Sequence, residues 1–294
     1  MLTAGRERIK QRYPGLARRI RRLGRFRFLL KARRVREEGV RFRDDPVNVA
    51  RFVALDPETH SYSFDLANVD ELVSFLTELL ELPSAEVERY VREALAHPEL
   101  GERLRRRVRW RVDYKRRMPL GNRLLWYALV RAVKPRLTVE TGIHDGLGSL
   151  MLLVALDRNA AEGVESRLVS LDLDPESGWL VPDHLRARWT PVFADIESTL
   201  DEALEGRELD LLIHDSDHNE ALQRIEFGAA LTHAAPALYV IDSSGLELPV
   251  LRELCEAHGG LHRYFLERPK DHFYRPAGTS VAAFRRPSRG RPSP

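Results

Sequence analysis

Cysteine is almost absent from this chain of 294 residues, because Cys255 is its only one. A single cysteine excludes an internal disulfide framework and a cysteine-rich zinc site. The longest uninterrupted apolar run, residues 150–156, is much shorter than the roughly 20 residues that a membrane-spanning helix needs. The basic N-terminus also lacks the apolar segment and small-residue cleavage site of a signal peptide. We therefore expect a globular protein of the cytoplasm.

Lysine is also scarce, and the basic residues are unevenly distributed. Residues 1–45 contain 16 Lys+Arg and 5 Asp+Glu, and residues 103–117 contain 9 Lys+Arg and one Asp. Since the formal net charge is only +3, the rest of the chain carries −16. The sequence therefore predicts an acidic globule with two basic segments.

The first basic segment, residues 1–45, also carries apolar side chains such as Phe26 and Leu29. A solvated helix that packs against the rest of the protein is one interpretation. Peripheral contact with an anionic membrane is a second, and contact with nucleic acid is a third and less favoured one. The second segment, residues 103–117, is either a solvated helix face or a flank of the active site that attracts anionic substrates.

The hydrophobic pattern before residue 135 is helical. Apolar residues recur at helical spacing at Leu72, Phe75, Leu76, Leu79 and Leu80. Ser84 stands where an N-cap would start a second amphipathic helix. Gly101 is expected to end the next turn, and the stretches 102–117 and 119–133 predict two more helices.

After residue 135, short apolar runs alternate with helical segments. The predicted strands are residues 136–140, 167–172, 191–194, 209–214, 237–242, 262–266 and 279–284. The predicted helices lie near residues 147–160, 182–188, 197–204, 219–232 and 247–257. Such alternation is typical of a parallel sheet that is covered by helices on both faces. The last two strands predict an antiparallel hairpin at the edge of the sheet.

These patterns divide the chain into three parts. Residues 1–118 are predicted to form a basic helical region, and residues 119–285 an α/β domain. Residues 286–294, which consist of Arg, Pro, Ser and Gly, are predicted to be a disordered tail.

The turn after the first predicted strand is rich in glycine. The strand ends at Glu140, and Gly142, Gly146 and Gly148 follow. Ligands of open α/β sheets bind at the carboxyl ends of the strands, and glycine lets a ligand approach the backbone closely. A dinucleotide fingerprint needs G-x-G-x-x-G directly after the strand. Gly146 and Gly148 have the spacing of the first two glycines of this fingerprint, but Met151 stands in place of the third, and Gly146 comes too late after the strand. The spacing therefore disfavours a nicotinamide cofactor.

The spacing of Glu140, Gly142 and Gly146 is E-x-G-x-x-x-G. It resembles the first motif of the class I S-adenosylmethionine-dependent methyltransferases, and the resemblance covers about residues 119–285. It implies a Rossmann-like, doubly wound, mostly parallel seven-stranded sheet with a C-terminal antiparallel hairpin, here preceded by an α-helical N-terminal region. It also implies that S-adenosylmethionine is the cofactor, with Glu140, Gly142, Gly146 and Ser149 around its methionine part.

Two further acids stand at the ends of the second and third predicted strands. An acid at the position of Asp172 can accept hydrogen bonds from ribose hydroxyls, and the resemblance gives Asp172 this role. Dinucleotide enzymes use the same device, so this acid supports an adenosine ligand without selecting the cofactor. The resemblance places Asp195 beside the adenine, and an N-cap of the following helix is the alternative role for Asp195.

Two acids and two histidines lie within five residues at the end of the fourth predicted strand. They are His214, Asp215, Asp217 and His218. Such crowding is costly unless the groups bind something. The segment resembles the I-D-G-D-H motif of small-molecule and sugar O-methyltransferases, with Ser216 in place of glycine. We expect Asp215 and His218 to be catalytic, with His218 accepting the proton of a substrate hydroxyl; His144 is a second candidate base.

Metal-dependent members of this class hold Mg²⁺ through acids that follow the fourth and fifth strands. The resemblance assigns these positions to Asp215 and Asp242, with Ser243 where Asn or Asp would be expected. Oxygen ligands suit Mg²⁺, which tolerates water at missing positions. Base assistance by His218 and metal assistance at Asp215 and Asp242 are therefore both open.

We expect an S-adenosylmethionine-dependent methyltransferase that acts on an oxygen of a small molecule, a sugar or a natural product. One alternative is an RNA methyltransferase that uses the basic segments. Against it, the fourth strand lacks the Asn/Asp-Pro-Pro-aromatic signature of many base-methylating enzymes. Another alternative is a non-catalytic scaffold that binds the cofactor. The pattern gives no indication of the oligomeric state.

Overall fold

The computed structural model describes residues 64–108, 120–204, 206–245, 247–270 and 278–285. The chain divides into two compact units, and the larger one comprises Leu66–Arg107, Asn122–Arg268 and Pro276–Pro294. The smaller unit contains few described residues, among them Phe64 and Pro269. The basic segment 1–45, most of the predicted helix 102–117 and the tail 286–294 lie outside the described residues. The boundaries at residues 118 and 285 stay predictions.

The described N-terminal part is mostly helical, as predicted, but the expectation that Ser84 is an N-cap is wrong, because Ser84 is the first helical residue and Pro83 holds the cap position. Its elements are α1 (Val69–Leu80), α2 (Ser84–Ala96), a π-helical turn (Glu99–Arg103), α3 (Leu104–Val108) and α4 (Arg123–Val133). The expectation that Gly101 ends a turn is wrong, because the π-helical turn runs through it into α3. The buried carboxylate of Glu99 accepts hydrogen bonds from Arg103 and Arg107, which ties the turn to the following helix.

Nine strands are described. They are β1 (Asp65–Leu66), β2 (Leu137–Thr141), β3 (Arg167–Asp172), β4 (Trp189–Phe193), β5 (Leu209–His214), β6 (Ala234–Asp242), β7 (Leu261–Leu266), β8 (Pro269–Lys270) and β9 (Gly278–Arg285). The short strands β1 and β8 pair separately, and the other seven form one sheet in the order β4-β3-β2-β5-β6-β9-β7. Strands β2 to β6 are mutually parallel, and β9 is antiparallel to both of its neighbours. The predicted seven-stranded, mostly parallel sheet with a terminal antiparallel pair is confirmed.

Helices connect the parallel strands. They are α5 (Leu147–Ala161), a 3-10 helix (Asp183–Arg188), α6 (Ile196–Leu204), α7 (Glu220–Thr232) and α8 (Pro249–His258). The chain reverses its direction across the sheet between β4 and β5. The ends of the central strands β2 and β5 therefore flank the crevice where ligands of such sheets bind.

The apolar core explains why these segments form helices and strands. Helix α5 contains the apolar run 150–156, every residue of which is buried. On α6, α7 and α8 the apolar residues lie on one side and pack on the sheet in a core that includes Leu200, Phe227 and Leu251. Burial of each large side chain contributes about 1.5–3 kcal/mol. None of the helices in the described ranges has the length and apolar character that a membrane span requires.

A buried arginine links three helices. The side chain of Arg131 on α4 is 1% exposed and donates hydrogen bonds to Glu93 Oε1 at 2.7 Å and Glu162 Oε1 at 2.5 Å. It also donates to Asn159, and its guanidinium lies 5.0 Å from the centre of the Tyr90 ring. Because these partners come from α2, from α5 and from the residue after α5, Arg131 fixes the helical layer beside the sheet.

Candidate functional site at the strand ends

The turn from β2 to α5 requires glycine at two positions. Gly142 and Gly146 have φ angles of +86° and +87°, a region that side chains rarely adopt. A Cβ atom on Gly142 would lie 2.3 Å from the carbonyl oxygen of Asp215. A Cβ atom on Gly146 would lie 2.7 Å from Cα of Gly178. The turn is thus packed directly against the segment that follows β5.

Glu140 is fully buried beneath this turn. Its Oε2 accepts hydrogen bonds from Ser149 Oγ at 2.5 Å and Ser170 Oγ at 2.7 Å. Burial raises the pKa of Glu140 to about 8, although the two serines oppose the shift. Its Oε1 has no hydrogen-bond partner among the described residues and lies beside Gly148, where a Cβ atom would come within 2.5 Å. A buried oxygen without a partner fits a polar group of a ligand at this turn.

Asp172, the predicted ribose ligand, organises the same turn. Its Oδ2 accepts hydrogen bonds from the backbone N–H groups of Ile143 at 2.7 Å and His144 at 2.9 Å. Its Oδ1 accepts from the N–H of Asp174 at 2.9 Å. Burial opposes ionisation, but these bonds outweigh it and hold the pKa of Asp172 below its usual value. The contact with ribose stays a prediction.

Asp195 and His144 lie at more exposed positions. Asp195 precedes α6, and its Oδ1 accepts a hydrogen bond from the N–H of Glu197 at 3.2 Å, which is the capping geometry that the sequence left as an alternative. A role beside the adenine stays a prediction. The side chain of His144 is 71% exposed, and its role as a second candidate base stays a prediction.

The parallel register of β5 and β6 places His214 beside Asp242. His214 is buried, and its Nδ1 lies 2.7 Å from Oε2 of Glu226 on α7. Burial lowers the pKa of His214, but the hydrogen bond to Glu226 and the charge of Asp242 outweigh it, so the pKa is raised overall. The Nε2 atom of His214 is buried and has no hydrogen-bond partner within the described ranges.

Asp215 and His218, the predicted catalytic pair, follow directly. Asp215 is partly buried, and its Oδ2 lies 3.9 Å from Nη2 of Arg123. Burial raises the pKa of Asp215 against the opposing charges of Arg123 and His218. Desolvation lowers the pKa of His218, which keeps its imidazole neutral and able to accept a proton near pH 7.

Three of these side chains come close enough to share an ion. One nitrogen each of His214 and His218 and one carboxylate oxygen of Asp242 lie within 4.8 Å of one another. Asp215, one of the two predicted Mg²⁺ ligands, is not in this group. Ser243, which stands where Asn or Asp was expected, accepts a hydrogen bond from Asn122 Nδ2 at 3.0 Å. Magnesium at Asp215 and Asp242 stays a prediction.

Sequence reasoning missed the residues that hold this cluster in place. Glu226 binds His214, and Gln223 Nε2 donates a hydrogen bond to Asp242 Oδ2 at 2.9 Å. Both are buried on α7 together with Phe227 and Ala230. Their spacing of i, i+3, i+4 and i+7 is the buried face of a helix. Two polar residues on such a face, directly after the His/Asp motif, were the signal that would have identified them.

Comparison with known proteins agrees with this geometry. Residues 139–242 match a family described as a methyltransferase domain. No curated protein matches the chain.

Solved structures resemble the fold. A methyltransferase from Geobacter sulfurreducens has a TM-score of 0.47 and 18% identity, over 64% of this chain and 90% of that one. The O-methyltransferase of Bacillus cereus in complex with S-adenosylhomocysteine has a TM-score of 0.42 and 14% identity, over 73% and 97%. TomG of Streptomyces achromogenes, which is involved in tomaymycin synthesis and was solved with S-adenosylmethionine, has a TM-score of 0.43 and 16% identity, over 78% and 99%.

The matched segment spans the elements that build the site. The segment begins within β2, contains the glycine turn and ends at Asp242, the last residue of β6. The sheet around it has seven strands with the terminal antiparallel pair that the first motif implied. Residues 139–242 are therefore similar to a methyltransferase domain, and they lie in a sheet of the kind that the first motif implied.

Proposed function

We propose that this enzyme transfers the methyl group of S-adenosylmethionine to a hydroxyl oxygen of a small molecule or sugar. The observation that carries the proposal is the contact between Gly142 and the backbone of Asp215. It joins the cofactor turn to the cluster of acids and histidines, so a methyl donor held at the turn would face ionisable side chains. Such side chains suit an acceptor that must lose a proton.

The side chains and backbone of this site would bind and orient the cofactor and deprotonate the acceptor hydroxyl. Asp172 fixes the backbone of the turn through Ile143 and His144, and this rigidity supports the near-attack geometry on which the rate depends. S-adenosylmethionine supplies an electrophilic methyl group on a sulfonium. On transfer, the electron pair of the carbon–sulfur bond would stay on sulfur as a carbon–oxygen bond forms, and His218 would accept the hydroxyl proton at Nδ1 or Nε2. Mg²⁺ at Asp215 and Asp242 is the alternative means of making the hydroxyl more acidic.

Binding and turnover are tested separately. Isothermal titration of the full chain with S-adenosylhomocysteine should show one site, and Asp172→Asn should weaken binding about tenfold because the turn loses an acceptor. Asp174→Asn, a matched change at a neighbouring exposed acid, should leave binding within about twofold. Undetectable binding by the unaltered chain would refute the cofactor assignment for this fold.

The acceptor is then sought with methyl-labelled cofactor. Hydroxylated small molecules and sugars should become labelled, whereas tRNA should not. His218→Gln should lower kcat about 10²- to 10⁴-fold with unchanged binding of S-adenosylhomocysteine. Labelled RNA without labelled small molecules would favour the RNA alternative. A failure to transfer methyl to any acceptor, despite tight cofactor binding, would favour the non-catalytic scaffold.

A further inference from the structure

We propose that His214, His218 and Asp242 form a binding site for a divalent transition-metal ion of the zinc type. The three residues stand at the carboxyl ends of β5 and β6 and in the segment before α7. The proposal goes beyond methyl transfer to a stated acceptor, and with the ion bound His218 would be a ligand in place of the free base proposed above.

The spacing of the three donor atoms suits a single ion. They lie within 4.8 Å of one another. Bonds of about 2.0–2.2 Å allow two ligand atoms of one ion to be up to about 4 Å apart. The remaining adjustment falls to His218, which is the exposed member of the group, whereas His214 and Asp242 are buried and held by neighbours.

His214 is oriented as a metal-binding histidine would be. Its Nδ1 is engaged by Glu226 at 2.7 Å, and Glu226 is itself fixed by hydrogen bonds from Thr141 Oγ1 at 2.7 Å and Ser216 Oγ at 2.8 Å. The pairing places a proton on Nδ1 and leaves Nε2 as the ligand nitrogen, an arrangement that is common around protein-bound metals. This Nε2 is buried without a partner in the described part of the chain. A buried nitrogen of this kind is costly unless a ligand satisfies it.

Asp242 is held in the same manner and keeps capacity for a ligand. Its Oδ2 accepts from Gln223 at 2.9 Å and its Oδ1 from the N–H of Ser244 at 3.0 Å. Each oxygen retains a further lone pair. Ser280, which faces Asp242 across the β6–β9 register, has a buried hydroxyl with no partner among the described residues. The surroundings of Asp242 therefore hold several polar atoms that an ion with bound water would satisfy.

The donor types favour a transition metal over Mg²⁺. Two imidazole nitrogens and one carboxylate oxygen are ligands of zinc, iron(II) and cobalt(II), whereas Mg²⁺ prefers oxygen. Asp215, which would supply a second carboxylate, lies outside the group and 3.9 Å from the guanidinium of Arg123. The metal expected from the family resemblance and the metal suited to these side chains are thus different.

The experiment measures metal binding directly, apart from methyl transfer. The full chain, freed of metal by a chelator, is titrated with Co²⁺ and followed by its visible absorption, and is dialysed against Zn²⁺ or Mg²⁺ for metal analysis. We expect one equivalent of Co²⁺ or Zn²⁺ and at least about 100-fold weaker binding of Mg²⁺. His218→Gln should weaken Co²⁺ binding by about 100-fold or more, and Glu226→Gln, a positioning change, by about 10- to 100-fold.

His258→Gln at the exposed end of α8 is the matched control and should retain the full equivalent and the absorption band. Thermal melts of each variant without metal separate lost binding from lost folding, and His218→Gln, being exposed, is expected to melt as the unaltered chain does. Stoichiometric binding that is lost in His218→Gln but kept in His258→Gln supports the proposal. The proposal is overturned if the unaltered chain binds less than one equivalent of Co²⁺ or Zn²⁺, or if both variants lose metal binding equally. It is also overturned if Mg²⁺ binds as tightly as Zn²⁺. Loss of methyl transfer in His218→Gln with intact metal binding would leave His218 as the base and refute its role as a ligand.

Discussion

Glu140 combines full burial with a pKa near neutrality. An acid whose pKa is raised on folding binds more protons in the folded than in the unfolded state over the interval between the two pKa values. For Glu140 this interval runs from 4.5 to about 8. The contribution of Glu140 to the free energy of unfolding therefore falls by about 1.4 kcal/mol per pH unit as the pH rises through this interval.

Glu140→Gln should remove this dependence. Between pH 5 and pH 8, the unfolding free energy of the variant should rise relative to that of the unaltered chain, as measured by urea denaturation without cofactor. Glu162→Gln is the control of opposite type, because Arg131 lowers the pKa of Glu162 to about 2 and the group stays ionised throughout this range. A difference between Glu140→Gln and the unaltered chain that stays constant with pH would show that Glu140 is already ionised.

At the scale of single residues, Glu140, Gly142 and Asp172 were chosen from their place at strand ends, and the structure brings them together around one turn. Their contact with a cofactor stays a prediction. Their partners were not predictable in this way. That Asp172 would bind the N–H of Ile143 and His144 depends on the course of a turn with two positive φ angles, which local sequence does not specify.

Helix α4 offers a test at the scale of secondary structure, because it carries Arg131. Replacing this arginine by methionine should lower the unfolding free energy by about 3 kcal/mol, since the carboxylates of Glu93 and Glu162 lose their buried cation. Arg131→Lys should cost less, because the charge is retained although the planar fork is lost. Urea unfolding followed by circular dichroism measures both.

An exposed ion pair on α2 is the control for this change. Arg92 lies 3.7 Å from Glu88, and both side chains are more than half exposed. Arg92→Met should change the unfolding free energy by less than about 0.5 kcal/mol. If Arg131→Met were equally mild, the arginine would not connect the helices as described.

The spacing of apolar residues predicted most of the described helices and strands, but it failed at the π-helical turn. Strands β3 and β5 have the predicted bounds, because their apolar runs end at polar strand ends. Strand β6 begins at Ala234, earlier than predicted, since Ala234 pairs with Leu209 ahead of an irregularity in the register of β5 and β6. At Gly101 the propensity of glycine to end a helix was outweighed by the hydrogen bonds of Glu99 to Arg103 and Arg107.

The charge distribution yields a prediction for the whole molecule. Residues 1–45 carry a net +11 in a chain whose net charge is +3, and we propose that this segment makes the peripheral contact with anionic membranes. The full chain should sediment with vesicles that contain phosphatidylserine at low salt and be released at high salt, because screening weakens the attraction. Arg25→Gln and Arg27→Gln together should weaken the binding.

Neutral phosphatidylcholine vesicles and a gel shift with tRNA are the comparisons. Equal sedimentation with neutral vesicles would show that charge is not responsible. Retention of tRNA, with no binding to anionic vesicles, would favour the nucleic-acid interpretation of the segment.

The order of strands in the sheet was only partly contained in local pattern. The antiparallel pair of β7 and β9 was predicted, and it is present. That β9 lies between β6 and β7 follows from pairings that are distant in sequence. Helical and strand periods describe neighbours along the chain, and the family resemblance implied seven strands with a terminal hairpin but not their order.

The interior position of β9 has a consequence for synthesis. Strand β6 is complete at Asp242, yet its open edge has no partner until residues 278–285 have left the ribosome. During this interval the nascent chain displays an unpaired edge, which is prone to pairing with other chains. A stop codon after β7 would leave that edge open permanently. The last strand that the structure describes thus covers an edge that would otherwise be open to pairing with other chains.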